Sequence, residues 1–112
     1  LDQVKMRQTF ASLVAHLESE GHKKYFVIGF CWGVWKAFRL ATEFEGFVAI
    51  AGFHPSITCE MLMGGVEAEL TKKIKCPAFL YPAGNDVPNI KKGGELVQIL
   101  EEKFGAEKTG TL

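Results

Sequence analysis

The sequence predicts an α/β protein: a parallel sheet of three to four strands with flanking helices. Two observations carry that expectation. Short unbroken apolar runs alternate with segments of helical periodicity, the pattern of βαβ units and parallel strands. The first of those runs enters a helix through "GFCWG", where a cysteine has glycines two positions before and two after it. Crossovers in such units are almost always right-handed, and the sheet is expected to be covered by helices on both faces.

Residues 2–20 read as a helix. Phe10, Leu13, Val14 and Leu17 recur at i, i+3, i+4 and i+7 and give it one apolar face. Gly21 ends it, at the position after the cap where left-handed backbone costs little. After the polar Lys23 and Lys24, "YFVIGF" (Tyr25–Phe30) is an apolar run with a β-branched pair, read as a central strand buried on both faces. In "WGVWKAFRLATEF", Trp35 and Phe38 fall on one side with Ala37 and Ala41 beside them, as in a helix packed closely on a sheet; Gly46 stops it. "FVAIAGF" (Phe47–Phe53) reads as a second buried strand. "HPS" (His54 to Ser56) is a loop, since Pro55 has no N–H to give a ladder. Between 57 and 75, "GVEAELTKKI" predicts a short helix, weakened by Gly64 and Gly65. "AFLYP" after Pro77 is a third strand, and Gly84, Asn85, Asp86 and Pro88 make a loop. Leu96, Val97, Leu100 and Phe104 mark a last helix that ends at Gly105, and "EKTGTL" begins a further strand.

At 112 residues the chain suits one domain, residues 1–112, with a core at the small end for its class. Hydrophobic content of 47% and charged content of 23% are ordinary for a globular protein. The formal net charge is zero and no Lys/Arg cluster stands out, which argues against a nucleic-acid footprint and against a polybasic membrane patch. No apolar run approaches the roughly 20 residues of a membrane-spanning helix, and no signal-peptide pattern is visible. A start at Leu1 rather than Met predicts a piece of something longer. Cys31, Cys59 and Cys76 are odd in number and widely spaced, with no C-x-x-C. That disfavours a disulfide scaffold and a zinc site, and no metal or cofactor is expected. Free thiols fit a reducing compartment, so the cytoplasm is the expected location.

G-x-nucleophile-x-G between a buried strand and a helix is the pattern of a nucleophile elbow. The nucleophile of such an elbow sits on a strained turn at positive φ, at a cost of about 1–3 kcal/mol for a non-glycine residue. The turn brings the residues two before and two after close together, so Gly29 and Gly33 fit where side chains would clash. Cys31 would then project above the C-terminal edge of the sheet, where ligands bind in open α/β folds. There the helix N-terminus favours its thiolate, and the Trp32 backbone N–H would brace an oxyanion. Against this stands the plain alternative of a core thiol, since cysteine is among the most buried residue types.

Asp86, just after the third strand, would sit at the same edge and fits the acid of a Ser…Asp…His chain order. Its role would be to fix the tautomer and orientation of a histidine; a turn-capping aspartate is the competing account. The base should come last, but no histidine follows His54. His16 and His22 belong to the first helix and its exit. His54, after the second strand, is near the same edge but out of order, and is read as a site-lining residue more than as the base.

"VIGFCWG" (Val27 to Gly33), "HPS" and "CPAFLYPAGND" (Cys76 to Asp86) together resemble the dienelactone hydrolase family of α/β hydrolases. The resemblance covers nearly the whole chain, as roughly the second half of such a domain, and so implies a partial α/β-hydrolase fold. It implies a Cys-His-Asp triad acting on small esters or lactones, with Cys31 as nucleophile, Asp86 as acid and Trp32 as the oxyanion N–H. The family's histidine lies in an HG[FW] motif that residues 1–112 do not contain. Its N-terminal half, with a glutamate that regulates the thiol and a second oxyanion donor, is not matched either. One departure is Val34-Trp35, where family members tend to have smaller residues packed between helix and sheet.

Three functions follow as expectations. The first is a cysteine hydrolase working through an acyl-thioester in a longer parent, with little activity in this chain alone. The second is a non-catalytic binding or regulatory homologue that pairs with another chain, or with itself, through an exposed sheet edge. The third is a thiol redox protein using Cys31, disfavoured because no resolving cysteine is near it in sequence.

Overall fold

A computed structural model describes residues 2–111. The elements run α1 (Gln3–Ser19), β1 (Tyr25–Phe30), α2 (Trp32–Glu43), β2 (Phe47–Phe53), α3 (Cys59–Leu62), α4 (Glu67–Lys73), β3 (Ala78–Tyr81), α5 (Glu95–Phe104) and β4 (Gly110–Thr111), with a 3-10 turn over Pro88–Ile90 before α5. The strands form one parallel sheet in the order β1-β2-β3-β4. The α/β expectation holds at its four-strand end, and "EKTGTL" does contribute a strand.

Local chemistry sets the boundaries. Asp2 caps α1, its carboxylate accepting from the Lys5 N–H at 3.1 Å, and Gly21 leaves the helix at φ 87°. The apolar face of α1 is narrower than its periodicity predicts. Phe10 and Val14 are buried, but Leu13 is exposed. The reason is that α1 lies against α2, tied by the ion pair of Arg7 with Glu43 at 3.4 Å, instead of running deep in the core. Residues 57–75 hold two helices where one is expected. Gly64, at φ 80°, separates the single turn of α3 from α4. The buried Glu60 accepts from Arg39 at 2.6 Å, which pins α3 to α2.

The core fills one side of the sheet. Val34, Trp35 and Phe38 of α2, Leu96, Val97 and Leu100 of α5, and Leu70 of α4 pack on Ile50, Ala78 and Leu80. Each fully buried large side chain contributes about 1.5–3 kcal/mol relative to exposure. Val34, one of the bulky residues after "GFCWG", is accommodated by the strand beneath it: a Cβ on Gly52 would lie 2.7 Å from Val34 Cγ1.

The other side corrects the expectation that β1 and β2 are buried on both faces. Phe26, Ile28 and Phe30 of β1 are 78%, 65% and 66% exposed, and Phe53 and Phe79 also reach solvent. Among the described residues, the helices pack on the opposite face and none covers this one. At its C-terminal end, three rings from register-paired positions stack across the strands. Phe30 and Phe53 have centroids 5.3 Å apart, and Phe53 and Tyr81 4.7 Å apart.

Candidate active site

Parallel register brings three strand ends together. Phe30 pairs with Phe53 and Phe53 with Tyr81, so Cys31 and His54 leave the sheet side by side and the loop after β3 follows them. The ladder extends one residue past each strand: Cys31 N–H donates to Phe53 O at 2.9 Å, and His54 N–H to Tyr81 O at 2.9 Å. Both residues then turn sharply. Cys31 has φ 55° and ψ −126°, and His54 has φ 50°. Among the described residues they are the two non-glycines at positive φ, a conformation costing about 1–3 kcal/mol apiece that the surrounding structure must hold in place.

At Cys31 the backbone does the holding. Its carbonyl accepts from Val34 N–H at 3.1 Å, starting α2, and from Ser56 N–H at 3.0 Å, tying in the loop after β2. Cys31 is the N-cap of α2 but does not cap it with its side chain. The partly exposed sulfur lies 3.4 Å from Ser56 Oγ. The first N–H groups of a helix, here including Trp32, have no intrahelical partner and favour an anion in front of them. The Trp32 ring is partly exposed, with Lys36 Nζ 4.0 Å from its centroid.

The steric demand for glycine is one-sided. A Cβ on Gly29 would lie 2.8 Å from the Val34 nitrogen and 2.9 Å from the Gly33 carbonyl carbon, so no side chain fits there. A Cβ on Gly33 would meet nothing within 4 Å, which corrects the expectation of a clash at both positions. The chain approaches itself on the strand side of the turn, and Gly33 lies on the open side of α2.

Asp86 combines the two roles weighed for it. Its nearly buried carboxylate accepts from Ala83 N–H through Oδ2 at 2.6 Å, closing its own turn, and meets His54 Nδ1 through Oδ1 at 2.8 Å. An ionised carboxylate only accepts, so the shared proton is on Nδ1 and, in the neutral ring, Nε2 is left as the acceptor. The half-exposed His54, out of order by chain position, is thus the imidazole that Asp86 orients. Among the described residues, the hydrogen-bond contact of Cys31 Sγ is Ser56 Oγ and not an imidazole. His16 and His22 are solvated and lie against Glu20.

Ser56 is the site-edge residue that the sequence reading passed over; its signal was its place in "HPS", just past the end of β2. The three thiols differ in setting. Burial pushes the Cys76 thiol up to about 11. Cys59, partly exposed, is raised first by desolvation and then by the charge of Cys31, with a backbone hydrogen bond opposing. Among the described residues, no three His, Cys, Asp or Glu side chains group to hold a metal ion, and no helix is long and apolar enough to cross a membrane.

No curated protein and no solved structure matches the chain significantly. The sequence profile of the Dienelactone hydrolase family matches residues 2–110, nearly all of it. By that match, and with a four-stranded parallel sheet flanked by helices, the chain belongs to the dienelactone hydrolase family, a family of hydrolases.

Proposed function

We propose that this chain carries the nucleophile and the acid of a cysteine hydrolase acting on small esters or lactones. Cys31 attacks the carbonyl carbon, the Trp32 N–H braces the developing oxyanion, and collapse expels the alcohol to leave an acyl-thioester on the sulfur. Water then cleaves the thioester. Asp86 serves by orienting an imidazole, the task it performs on His54. The single observation that carries the reading is the φ 55° turn at Cys31, which sets a thiol at the N-terminus of α2 on the sheet's C-terminal edge. A cysteine near its ordinary pKa of ~8.5 is only a few per cent thiolate at neutral pH and needs a base to act fast. Sulfur with Ser56 and not an imidazole beside it is expected to acylate slowly and turn over little in residues 1–112 alone.

The test is acyl transfer from p-nitrophenyl acetate, read by intact mass and peptide mapping. The expected result is one acetyl group on Cys31, absent from Cys31→Ala and slow to hydrolyse. Acetylation at equal rate in Cys31→Ala would remove the cysteine from the chemistry.

A second reading draws on a separate observation. The apolar face of β1, with Phe26, Ile28 and Phe30 exposed, favours a non-catalytic homologue that pairs with another chain. Light scattering on a size-exclusion column decides that point. A well-behaved monomer at high concentration would count against it.

A further inference from the structure

Cys31 and Cys59 are 28 positions apart in sequence, yet the loop after β2 brings them into one small cluster. Ser56 is the link. Its N–H donates to Cys31 O at 3.0 Å, its Oγ lies 3.4 Å from Cys31 Sγ, and its carbonyl accepts from Cys59 N–H at 3.2 Å. A hydrogen-bonded four-residue turn keeps its ends within about 7 Å, so Cys59 stays next to the residue that touches the sulfur of Cys31. The Glu60–Arg39 pair holds that turn against α2, the helix that begins beside Cys31. Both thiols are free and partly exposed, whereas Cys76 is buried.

We propose that Cys31 and Cys59 form a peroxide-responsive thiol pair, in which Cys31 is oxidised and Cys59 closes an intramolecular disulfide onto it, masking the nucleophile. The proposal rests on the reading of Cys31 as an accessible nucleophilic sulfur and adds a regulation to that site. In the first step the Cys31 thiolate attacks a hydroperoxide. An S–O bond forms, the O–O bond breaks, sulfur loses two electrons and the peroxide leaves as water or an alcohol once protonated. In the second step Cys59 sulfur attacks Cys31 sulfur. The S–S bond forms, the S–O bond breaks, and hydroxide leaves as water with the proton of the Cys59 thiol.

The order of the two residues follows from their surroundings. Cys31 stands at the N-terminus of a twelve-residue helix and beside a hydroxyl, which favours its thiolate. Cys59 is held as a thiol partly by the charge on Cys31. Oxidation to the neutral sulfenic acid removes that charge and frees Cys59 to ionise and attack. The remaining approach falls to the Cys59 side-chain rotation and to α3, a single turn whose Met61 and Leu62 are exposed and resist little movement.

The experiment exposes the full chain to a small excess of hydrogen peroxide, with and without dimedone, and reads intact mass and non-reduced peptide maps. The wild type is expected to lose two hydrogens, to yield a Cys31–Cys59 crosslinked peptide and to recover on treatment with dithiothreitol. Cys59→Ser and Cys59→Ala, with folding checked by circular dichroism, are expected to gain oxygen at Cys31 and to be trapped there by dimedone. Cys76→Ser is expected to behave as wild type. An unmodified Cys31, a crosslink to Cys76, or equal over-oxidation of Cys31 in wild type and both Cys59 variants would overturn the proposal. Acetylation by p-nitrophenyl acetate, run in parallel, separates the two readings. A disulfide without acetylation defeats the hydrolase alone, and acetylation without a disulfide defeats the switch alone.

Discussion

The turns at Cys31 and His54 leave neighbouring strands through the same uncommon left-handed conformation, but different parts of the protein hold them. Cys31 is fixed by main chain, with its N–H on β2, its carbonyl on Val34 and Ser56, and a glycine cleared for it at position 29. His54 runs into Pro55 and irregular chain, and its ring is set by one side-chain partner, Asp86, 32 positions downstream. A sulfur placed by backbone needs no neighbour to keep it aimed. An imidazole placed by a carboxylate is only as well aimed as that carboxylate.

Substitutions can break this contrast in order of severity. Gly29→Ala is expected to do the most, because its Cβ meets backbone that cannot yield without moving the turn. The expected loss is about 1–3 kcal/mol, of the size seen for overpacking; an unchanged urea midpoint would mean that the turn relaxes freely. Asp86→Asn should cost about 1–3 kcal/mol through the disturbed Ala83 and His54 contacts. It should release the ring while leaving Cys31 where it is. NMR shifts of the His54 imidazole that stay in place would show that the ring has another anchor. Cys31→Gly should stabilise by about 1 kcal/mol, relieving positive-φ strain, whereas His54→Gly should show no such gain because it also loses the Asp86 contact. Equal gains in thermal melts would erase the distinction between the two turns. Gly33→Ala, with open space at the Cβ, should be neutral or stabilising by up to about 1 kcal/mol through helix propensity; a loss as large as that of Gly29→Ala would mean that the glycines act as a pair after all.

The strand and helix order was legible because apolar runs and helical periods alternate cleanly between Tyr25 and Phe104. The exposed face was not. "YFVIGF" says that six residues are apolar or small, but nothing in it says whether a second layer packs on Phe26, Ile28 and Phe30. Gly29 was legible as a close approach; Gly33 was not distinguishable from it, because spacing around a cysteine does not reveal which way a Cβ points. Asp86 was placed correctly at the sheet edge, and its partner His54 was ranked low because chain order was the only guide. Parallel register, which sets Phe53 between Phe30 and Tyr81, overrides chain order at the strand ends. Ser56 and Cys59 join the site through one turn of backbone hydrogen bonds, a relation that no residue pattern announces.

The fit of Val34 over Gly52 also restricts history. A side chain at 52 would strike Val34 Cγ1, so it is admissible only in a chain that has already shrunk residue 34. A valine at 34 is in turn admissible only above a bare strand. Each change is harmful when it comes first in the wrong order, so the pair forms a ratchet. Once valine had settled over glycine, reversion at 52 alone was closed, and the two positions became one unit of inheritance.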